Sequence, residues 1–96
     1  MEDINKIIHS PARLKILAYL YVVDSVDYVF LLHQTGLTWG NLATHLNKLE
    51  KAGYIEVEKT FKDKKPHSML QMTELGRKAF QKYKQTMQRV LDDLPD

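Results

Sequence analysis

Polar and basic side chains recur on one side of a short helical segment near the middle of the chain. In residues 39–51, Leu42, Leu46 and Leu49 form one apolar stripe at intervals of four and three residues. The 100° step of an α-helix places six other residues on the opposite face: Gly40, Asn41, Thr44, Asn47, Lys48 and Lys51. Asparagine can pair with adenine, threonine can touch the thymine methyl group, and lysine can reach guanine or phosphate. This face is therefore a candidate surface for contacting DNA bases, although most faces of this kind are only solvated.

A second group of cations follows the helical segment. Residues 59–65 contain Lys59, Lys62, Lys64 and Lys65 against Asp63 alone, a local charge of +3. His67 and Ser68 come next and add hydrogen-bond donors. A basic hairpin of this kind lies along the phosphate backbone or enters the minor groove. Lysines also protect the edge strands of sheets from aggregation, and that role is compatible with DNA contact.

Three residues at the margins of the helical segment complete the candidate set. Thr38 is a natural N-cap, and the helix N-terminus behind it presents backbone N–H groups to a nearby phosphate. Trp39 either stacks against the sugar-phosphate backbone or packs on the preceding helix. His45 lies beside the apolar stripe, where a packed histidine is more common than one that reads a base. The predicted DNA-contacting residues are Thr38, Trp39, Gly40, Asn41, Thr44, His45 and Lys48 in the helix, and Lys59, Lys62, Lys64, Lys65, His67 and Ser68 in the hairpin.

The elements that must position these residues can be recognised from local signals. Gly36 and Gly53 tolerate positive φ values, so they are suited to end two successive helices. From Ile55 to Phe61, alternate residues are suited to the inner face of a strand, and residues 55–72 are expected to form a hairpin whose charged connection is residues 62–66. Helix, turn, helix and hairpin make a winged helix-turn-helix, which places a recognition helix, here residues 39–51, in the major groove. We call residues 59–68 the wing.

The N-terminal part of the chain is predicted to supply the other core helices. Residues 3–9 are expected to form a short lead-in helix, and Ser10 and Pro11 have the types expected at the N-cap and first position of the next helix. Asp24 and Ser25 are expected to end that helix and cap the following one. Residues 26–35 are ambiguous, because their β-branched and aromatic content favours a strand. We predict a helix there, since capping residues precede the segment and Gly36 follows it.

The last helix carries a second apolar stripe. Thr73 is its expected N-cap, and the helix should run to about residue 94 and project beyond the core. Its stripe has a heptad spacing, and its distal part has little core left to cover. A two-fold homodimer is the simplest explanation, whereas the alternative is that the whole stripe folds back as core. The predicted dimer interface contains Ile4, Ile8, Phe80, Tyr83, Met87, Val90, Leu91 and Leu94.

Composition limits the number of domains and the class of protein but does not identify a function. Ninety-six residues make one domain, in which residues 9–72 form the helix-turn-helix core with the wing and residues 73–94 form the dimerisation helix. A formal net charge of +2 does not by itself indicate nucleic acid. The chain contains no cysteine and no apolar run long enough to span a membrane. It begins with the acidic sequence Met1-Glu2-Asp3, where a signal peptide would be basic, so we expect a cytoplasmic protein.

No catalytic or metal-binding constellation is visible in the sequence. The chain lacks a glycine-rich phosphate loop, a His-Glu-x-x-His motif and a Gly-x-Ser-x-Gly motif. The four histidines, His9, His33, His45 and His67, are spread one to each predicted element. We therefore expect no enzymatic activity, no cofactor and no metal site.

Three segments together resemble a known family. They are HSPARLKIL (9–17), TGLTWGNLATHLNKLEKAGYIEVEKTF (35–61) and MTELGRKAF (72–80), of which GNLxxHLxxLExAGY is the most specific part. The chain resembles the small winged-helix transcriptional regulators related to the MarR and ArsR groups. The resemblance implies a three-helix core, a two-stranded wing, a C-terminal dimerisation helix and operator binding by a homodimer.

The resemblance also implies positions for the site residues. Thr38, Gly40, Asn41, Thr44, His45 and Lys48 would lie in or beside the major groove, and residues 62–68 would meet the flanking backbone. The chain departs from the family in its wing, because lysines and His67 stand where many members carry arginines, and lysine lacks a bidentate fork. It also lacks the cysteine motif of the metal-sensing ArsR proteins, so metal sensing is not implied.

Two functions compete at this point. The first is a sequence-specific regulator that binds double-stranded DNA as a homodimer on a pseudo-palindromic operator, with half-sites about 34 Å apart. The second is a winged-helix module that binds other proteins and not DNA. Lysines in the wing and a polar recognition face favour the first, because an interaction module would show exposed apolar residues there. A small-molecule effector is compatible with either function, and no residue set points to one.

Overall fold

The computed structural model describes residues 3–95, which contain four helices and a three-stranded antiparallel sheet. The helices are α1 (Pro11–Val22), α2 (Tyr28–Thr35), α3 (Trp39–Lys51) and α4 (Glu74–Asp92). The strands are β1 (Val26–Asp27), β2 (Ile55–Lys62) and β3 (Lys65–Met72), and their order in the sheet is β1-β3-β2. The mixed, mainly helical winged helix-turn-helix expected from the sequence is confirmed.

Short-range capping explains where three of the four helices begin. The side chains of Ser10, Thr38 and Thr73 accept hydrogen bonds from the backbone N–H groups of Arg13, Asn41 and Gly76, respectively. Pro11 occupies the first turn of α1, where its missing N–H has no consequence. Each of these caps was predicted, because the signal lies within three residues of the helix start.

The α2 region differs from the prediction in two respects. Val26 and Asp27 form a strand and pair with Leu70 and Met69 of β3, so only residues 28–35 are helical. The N-cap of α2 is Asp27, whose carboxylate accepts from the Phe30 N–H at 2.6 Å. The expectation that Asp24 and Ser25 would cap this helix is therefore wrong, because pairing with β3 holds the chain extended through Asp27.

The predicted lead-in helix at residues 3–9 is also wrong. The structure has a turn at residues 6–8 and no helix. The Asn5 side chain caps a single turn by accepting from the N–H groups of Ile7 and Ile8 at 2.9 and 3.1 Å, and the turn ends because Ser10 is extended as the N-cap of α1. The turn drives Ile8 into the core, where its exposed fraction is 0%.

The hairpin is tighter than the sequence suggested. Lys62 pairs with Lys65, so the connection is the two residues Asp63 and Lys64 and not the five residues 62–66. Both have positive φ values, 53° and 65°, as a two-residue type I′ hairpin turn requires. Pro66 belongs to β3, where it lies opposite Phe61.

One core cluster joins the helices to the sheet. Its buried side chains come from the N-terminal turn and from all seven elements: Ile8, Ile16, Leu17, Leu20, Val26, Leu31, Leu42, Leu46, Leu49, Ile55, Leu70 and Tyr83. The described chain measures 56 × 26 × 21 Å, and its α4 helix has 19 residues, a length of about 28 Å. Among the described residues, no helix combines the length and the apolar character that a membrane crossing requires.

Two glycines allow a matched prediction about packing. A Cβ atom at Gly76 would overlap the carbonyl oxygen of Tyr54 and lie 2.8 Å from its carbonyl carbon, whereas a Cβ at Gly40 would meet nothing within 4 Å. Gly76→Ala should lower the free energy of unfolding by the upper end of the about 1–3 kcal/mol typical of overpacked sites. Gly40→Ala, the control, should raise it by about 0.5–1 kcal/mol. Urea denaturation of both variants measures the difference, and equal stabilities would contradict the close approach of α4 to Tyr54.

Candidate nucleic-acid interface

The two faces of α3 have opposite environments. Leu42, Leu46 and Leu49 are buried and form the helix's contribution to the core. The remaining predicted face is exposed along its whole length: Gly40, Asn41, Thr44, Asn47, Lys48 and Lys51. The structure therefore brings the predicted polar residues to one surface, free of contacts with the rest of the chain's core.

The N-terminal end of α3 is fixed to α2 by an aromatic pair that sequence reasoning did not assign. The rings of Tyr28 and Trp39 lie 4.4 Å apart, and the Tyr28 hydroxyl donates to the Trp39 carbonyl oxygen at 2.7 Å. Burial raises the pKa of the Tyr28 phenol, so it remains a donor. Trp39 packs on the preceding helix, yet 60% of its surface stays exposed beside the polar face.

Internal hydrogen bonds limit what two polar residues can offer a ligand. The Thr38 hydroxyl oxygen accepts from the Asn41 N–H at 3.2 Å, so Thr38 acts first as a cap. The Thr44 hydroxyl donates to the Gly40 carbonyl oxygen at 3.0 Å. Thr44 therefore presents its methyl group to a ligand, and this methyl group can contact the methyl group of thymine. Asn41 and Lys48 keep exposed polar ends.

His45 is held by an arginine from α1. An Arg13 guanidinium nitrogen lies 3.1 Å from His45 Nδ1, while Arg13 Nε donates to the Ile7 carbonyl oxygen at 2.5 Å. Because a guanidinium has donors only, Nδ1 must accept, and the His45 proton is assigned to Nε2. Desolvation lowers the pKa of His45 first, followed by the positive charges of Arg13 and Lys48. His45 is thus a neutral donor through Nε2–H, a role that the sequence could not reveal because Arg13 lies 32 residues away.

The wing carries its cations on an exposed hairpin. Lys59, Lys62, Lys64 and Lys65 are all exposed, and His67 and Ser68 are half-buried. The Thr60 hydroxyl donates to the His67 carbonyl oxygen at 3.4 Å, so His67 is tied to the neighbouring strand through its backbone. Phe61 was expected to continue the inward alternation of Ile55 and Val57, but it is 79% exposed because the core ends before it.

The predicted dimer residues separate into two groups. Ile8 and Tyr83 are 0% and 7% exposed in the single chain, so both already belong to its own core, and their contact with a second copy stays a prediction. Tyr83 is retained inside by its hydroxyl, which lies 2.9 Å from His9 Nδ1. Ile4, Phe80, Met87 and Val90 are half-buried, whereas Leu91 and Leu94 are more than half exposed.

An apolar groove between α1 and α4 adds residues that the prediction omitted. Leu14, Ala18 and Val22 of α1 line it opposite Met87 and Leu91 of α4. Val22 is more than half exposed. The sequence predicts α1 only as a core helix, because an apolar stripe that faces a groove has the same spacing as a buried one. Over residues 3–95, no group of three or more histidine, cysteine, aspartate or glutamate side chains could hold a metal ion.

Comparisons with known proteins agree with this geometry. A family model described as a winged helix DNA-binding domain matches residues 12–91. The uncharacterized protein MJ0432 of Methanocaldococcus jannaschii is 38% identical over 78 residues, which cover 81% of this chain and 85% of that protein.

Solved structures share the same fold. A transcriptional regulator homologue from Pyrococcus horikoshii OT3 superposes with a TM-score of 0.84 at 27% identity, over 92% of this chain and 89% of the other. A protein from Porphyromonas gingivalis W83, described as a MarR-family transcriptional regulator, has a TM-score of 0.68 at 18% identity over 93% and 86% of the two chains. The winged-helix DNA-binding family implied by the sequence resemblance is thereby confirmed, and the similarity to the MarR-family protein is one of fold.

The Arg13–His45 contact predicts a measurable titration. Arg13→Met should raise the pKa of His45 toward its usual 6.5, because one of the charges that oppose protonation is removed. Lys48→Gln, the matched control, removes the weaker of the two charges and should raise that pKa less. NMR titration of the His45 ring protons measures both, and an unchanged midpoint in the Arg13 variant would contradict the contact.

The lowered pKa of His45, caused first by desolvation and then by the charges of Arg13 and Lys48, gives stability a pH dependence of known sign. The folded-state pKa of His45 lies below its unfolded value, so its contribution to stability is complete above about pH 6.5 and is lost as the pH falls through the folded-state pKa. The decline in melting temperature below that pH should therefore be shallower in Arg13→Met than in the wild type.

Proposed function

This chain belongs to the family of winged helix DNA-binding domains and is a DNA-binding transcriptional regulator, and from that premise we propose that it acts as a homodimer on a pseudo-palindromic operator. One observation carries the proposal: the apolar stripe of α3 is locked in the core while Asn41, Thr44 and Lys48 face outward. An α-helix with that division fits the major groove of B-form DNA. A cytoplasmic location belongs to the same proposal, since the regulator must reach its operator.

The recognition helix and the wing have different tasks in this proposal. Asn41 offers an amide suited to adenine, Thr44 a methyl group suited to thymine, and His45 an Nε2–H donor. The exposed lysines of the wing neutralise backbone phosphates, which gives affinity that depends on salt but little on sequence. Trp39, at the start of α3, lies where its exposed edge can pack against the sugar-phosphate backbone.

The groove between α1 and α4 is the proposed dimer surface. Val22, Leu91 and Leu94 expose apolar side chains there or beside it, and α4 extends the surface beyond the core. Half-buried Phe80 and Met87 form its floor, with Phe80 supported by the Tyr21 ring at 5.3 Å. A two-fold axis at this surface would make it self-complementary and would present two recognition helices to successive major grooves.

Substitutions on the two surfaces should separate specific from general DNA binding. Asn41→Ala and Lys48→Ala should each weaken binding to a duplex selected from a random pool by about 1–3 kcal/mol if the residue contacts a base. Lys65→Gln, and Lys64→Asn at its positive-φ turn position, should weaken binding to all duplexes alike and reduce the salt slope by about 1 each. Fluorescence anisotropy across a salt series measures both effects.

Two results would contradict this assignment of surfaces. Wild-type affinity in all four variants would show that neither α3 nor the wing contacts DNA. Complete absence of duplex binding at low salt would favour the alternative function, a winged-helix module that binds proteins.

The dimer surface can be tested without DNA. Leu91→Lys places a charge on the exposed stripe and should convert a dimer to a monomer, as measured by sedimentation equilibrium. Val29→Lys, at an exposed apolar position of α2 outside the groove, is the control and should leave the mass unchanged. A wild-type protein that sediments as a monomer at micromolar concentration would contradict the homodimer.

A further inference from the structure

The inner face of the hairpin continues past the end of the core. Side chains alternate between the two faces of a strand, so Ile55, Val57, Lys59 and Phe61 share one face of β2. Ile55 is buried and Val57 half-buried, opposite buried Leu70, whereas Lys59 and Phe61 are exposed. Phe61 therefore extends the core-facing side of the sheet, which packs on α3, into open space.

The exposed phenylalanine has a rigid apolar neighbour. Pro66 lies directly opposite Phe61 on β3 and is exposed as well, so the two rings form one apolar pair near the hairpin tip. The pair is separated from the turn by the single pairing of Lys62 with Lys65. A two-residue turn and a continuous register from Ile55 to Lys62 fix its position. Phe61 is not a member of the core cluster or of the residues packed against it, so stability does not explain its presence.

The charges around this pair select its partner. Lys59, Lys62 and Lys65 lie within two residues of Phe61 or Pro66 along the strands, and Lys64 occupies the turn. This concentration of cations would repel the wing of a second copy and attracts a polyanion. The face on which Phe61 lies is the side of the sheet that packs on α3, whose outward surface is polar and carries two lysines. The polyanion that contacts α3 is therefore within reach of the wing.

We propose that Phe61, supported by Pro66, is an apolar wedge that enters the minor groove of the bound duplex, partly unstacks one base step and bends the DNA. This inference rests on the proposed DNA-binding function and adds a residue and a mode of recognition to it. Phenylalanine and proline are among the side chains that insert between base steps in this way, and the flanking lysines hold the phosphates on either side.

The wedge accounts for how a lysine wing can contribute to specificity. Lysine has no bidentate fork with which to read base edges, so the wing's cations position the protein without selecting a sequence. A wedge selects by deformability, because pyrimidine–purine steps such as TA and CA unstack at lower free-energy cost than other steps. The operator should therefore carry a flexible step where each wing meets the minor groove.

The experiment uses a duplex selected by the wild-type protein, with a fluorophore at each end and 2-aminopurine at the candidate step. Phe61→Ala should lower affinity by about 5- to 100-fold, abolish the increase in 2-aminopurine fluorescence and reduce the bend reported by energy transfer. Its salt slope should equal that of the wild type, because no charge is removed. Phe61→Leu keeps an apolar wedge and should restore most of the bend.

Lys62→Gln is the matched control on the same strand. It should reduce the salt slope by about 1 and leave the bend in place, since it removes a charge and not the wedge. Both side chains are exposed, so neither substitution should disturb folding, which circular dichroism checks.

Four outcomes would overturn the wedge. Wild-type bend and affinity in Phe61→Ala, alongside lost affinity in Asn41→Ala, would reject the wedge and leave the proposed function intact. A lower mass in Phe61→Ala would make the pair a contact between copies. Loss of binding to vesicles containing phosphatidylserine, with an unchanged DNA bend, would assign the tip to a membrane surface. Failure of the wild type to bind any duplex would reject the proposed function together with the wedge.

Discussion

The rotation of α3 about its own axis is the constraint on which the rest of the structure depends. Leu42, Leu46 and Leu49 occupy a stripe about 60° wide at 100° per residue, and their burial decides which other side chains face outward. A rotation by one residue would carry Ala43, Asn47 and Glu50 toward the core and turn Leu42 and Leu49 away from it. Burying the Asn47 amide without a hydrogen-bond partner would cost free energy, so this rotation is unfavourable. The hydrophobic core thus selects the polar surface.

Hydrogen bonds fix both ends of α3, so the rotation of the helix about its own axis is fixed as well. At the start, the Thr38 cap and the hydrogen bond from the Tyr28 hydroxyl to the Trp39 carbonyl join the helix to α2. At the end, the N–H groups of Gly53 and Tyr54 donate to the carbonyl oxygens of Glu50 and Leu49, a Schellman turn with Gly53 at a φ of 80°. The Thr73 hydroxyl then donates to the Gly53 carbonyl, and Gly76 lets α4 approach Tyr54 closely. One turn therefore orients the recognition helix, the sheet and the last helix together.

Sequence reasoning succeeded where the signal was local. The caps at Ser10, Thr38 and Thr73 and the helix-ending glycines depend on residues within one helical turn, so their types alone indicated them. The β1 strand could not be inferred in this way, because its two residues are extended only through pairing with Leu70 and Met69, more than 40 positions away.

The same limit applies to the candidate sites. Ile8 and Leu91 look alike in a sequence, yet one fills the space above α1 and the other has no part of the chain to cover it. The contact of Arg13 with His45 has no local signature at all. Exposure, unlike helix capping, is a property of the assembled core, so residue types and spacing alone do not indicate which apolar side chains stay in solvent.

The recognition helix and the wing obey different physical rules, and the difference bears on how such a small protein could discriminate among DNA sites. The Thr44 hydroxyl donates within α3 and the Thr38 hydroxyl accepts as its cap, so directional reading of bases falls mainly to the amides of Asn41 and Asn47 and to His45. A surface with few base-reading side chains gains selectivity if the duplex must also deform, because the free-energy cost of deformation varies with sequence at positions that no side chain reads. Phosphate contacts made by the lysines of the wing supply binding free energy that offsets the cost of deformation. These contacts do not depend on the identity of the base. A rigid hairpin with an exposed aromatic ring can impose a deformation on the DNA duplex. A flexible lysine loop alone would adapt to the shape that the DNA already has.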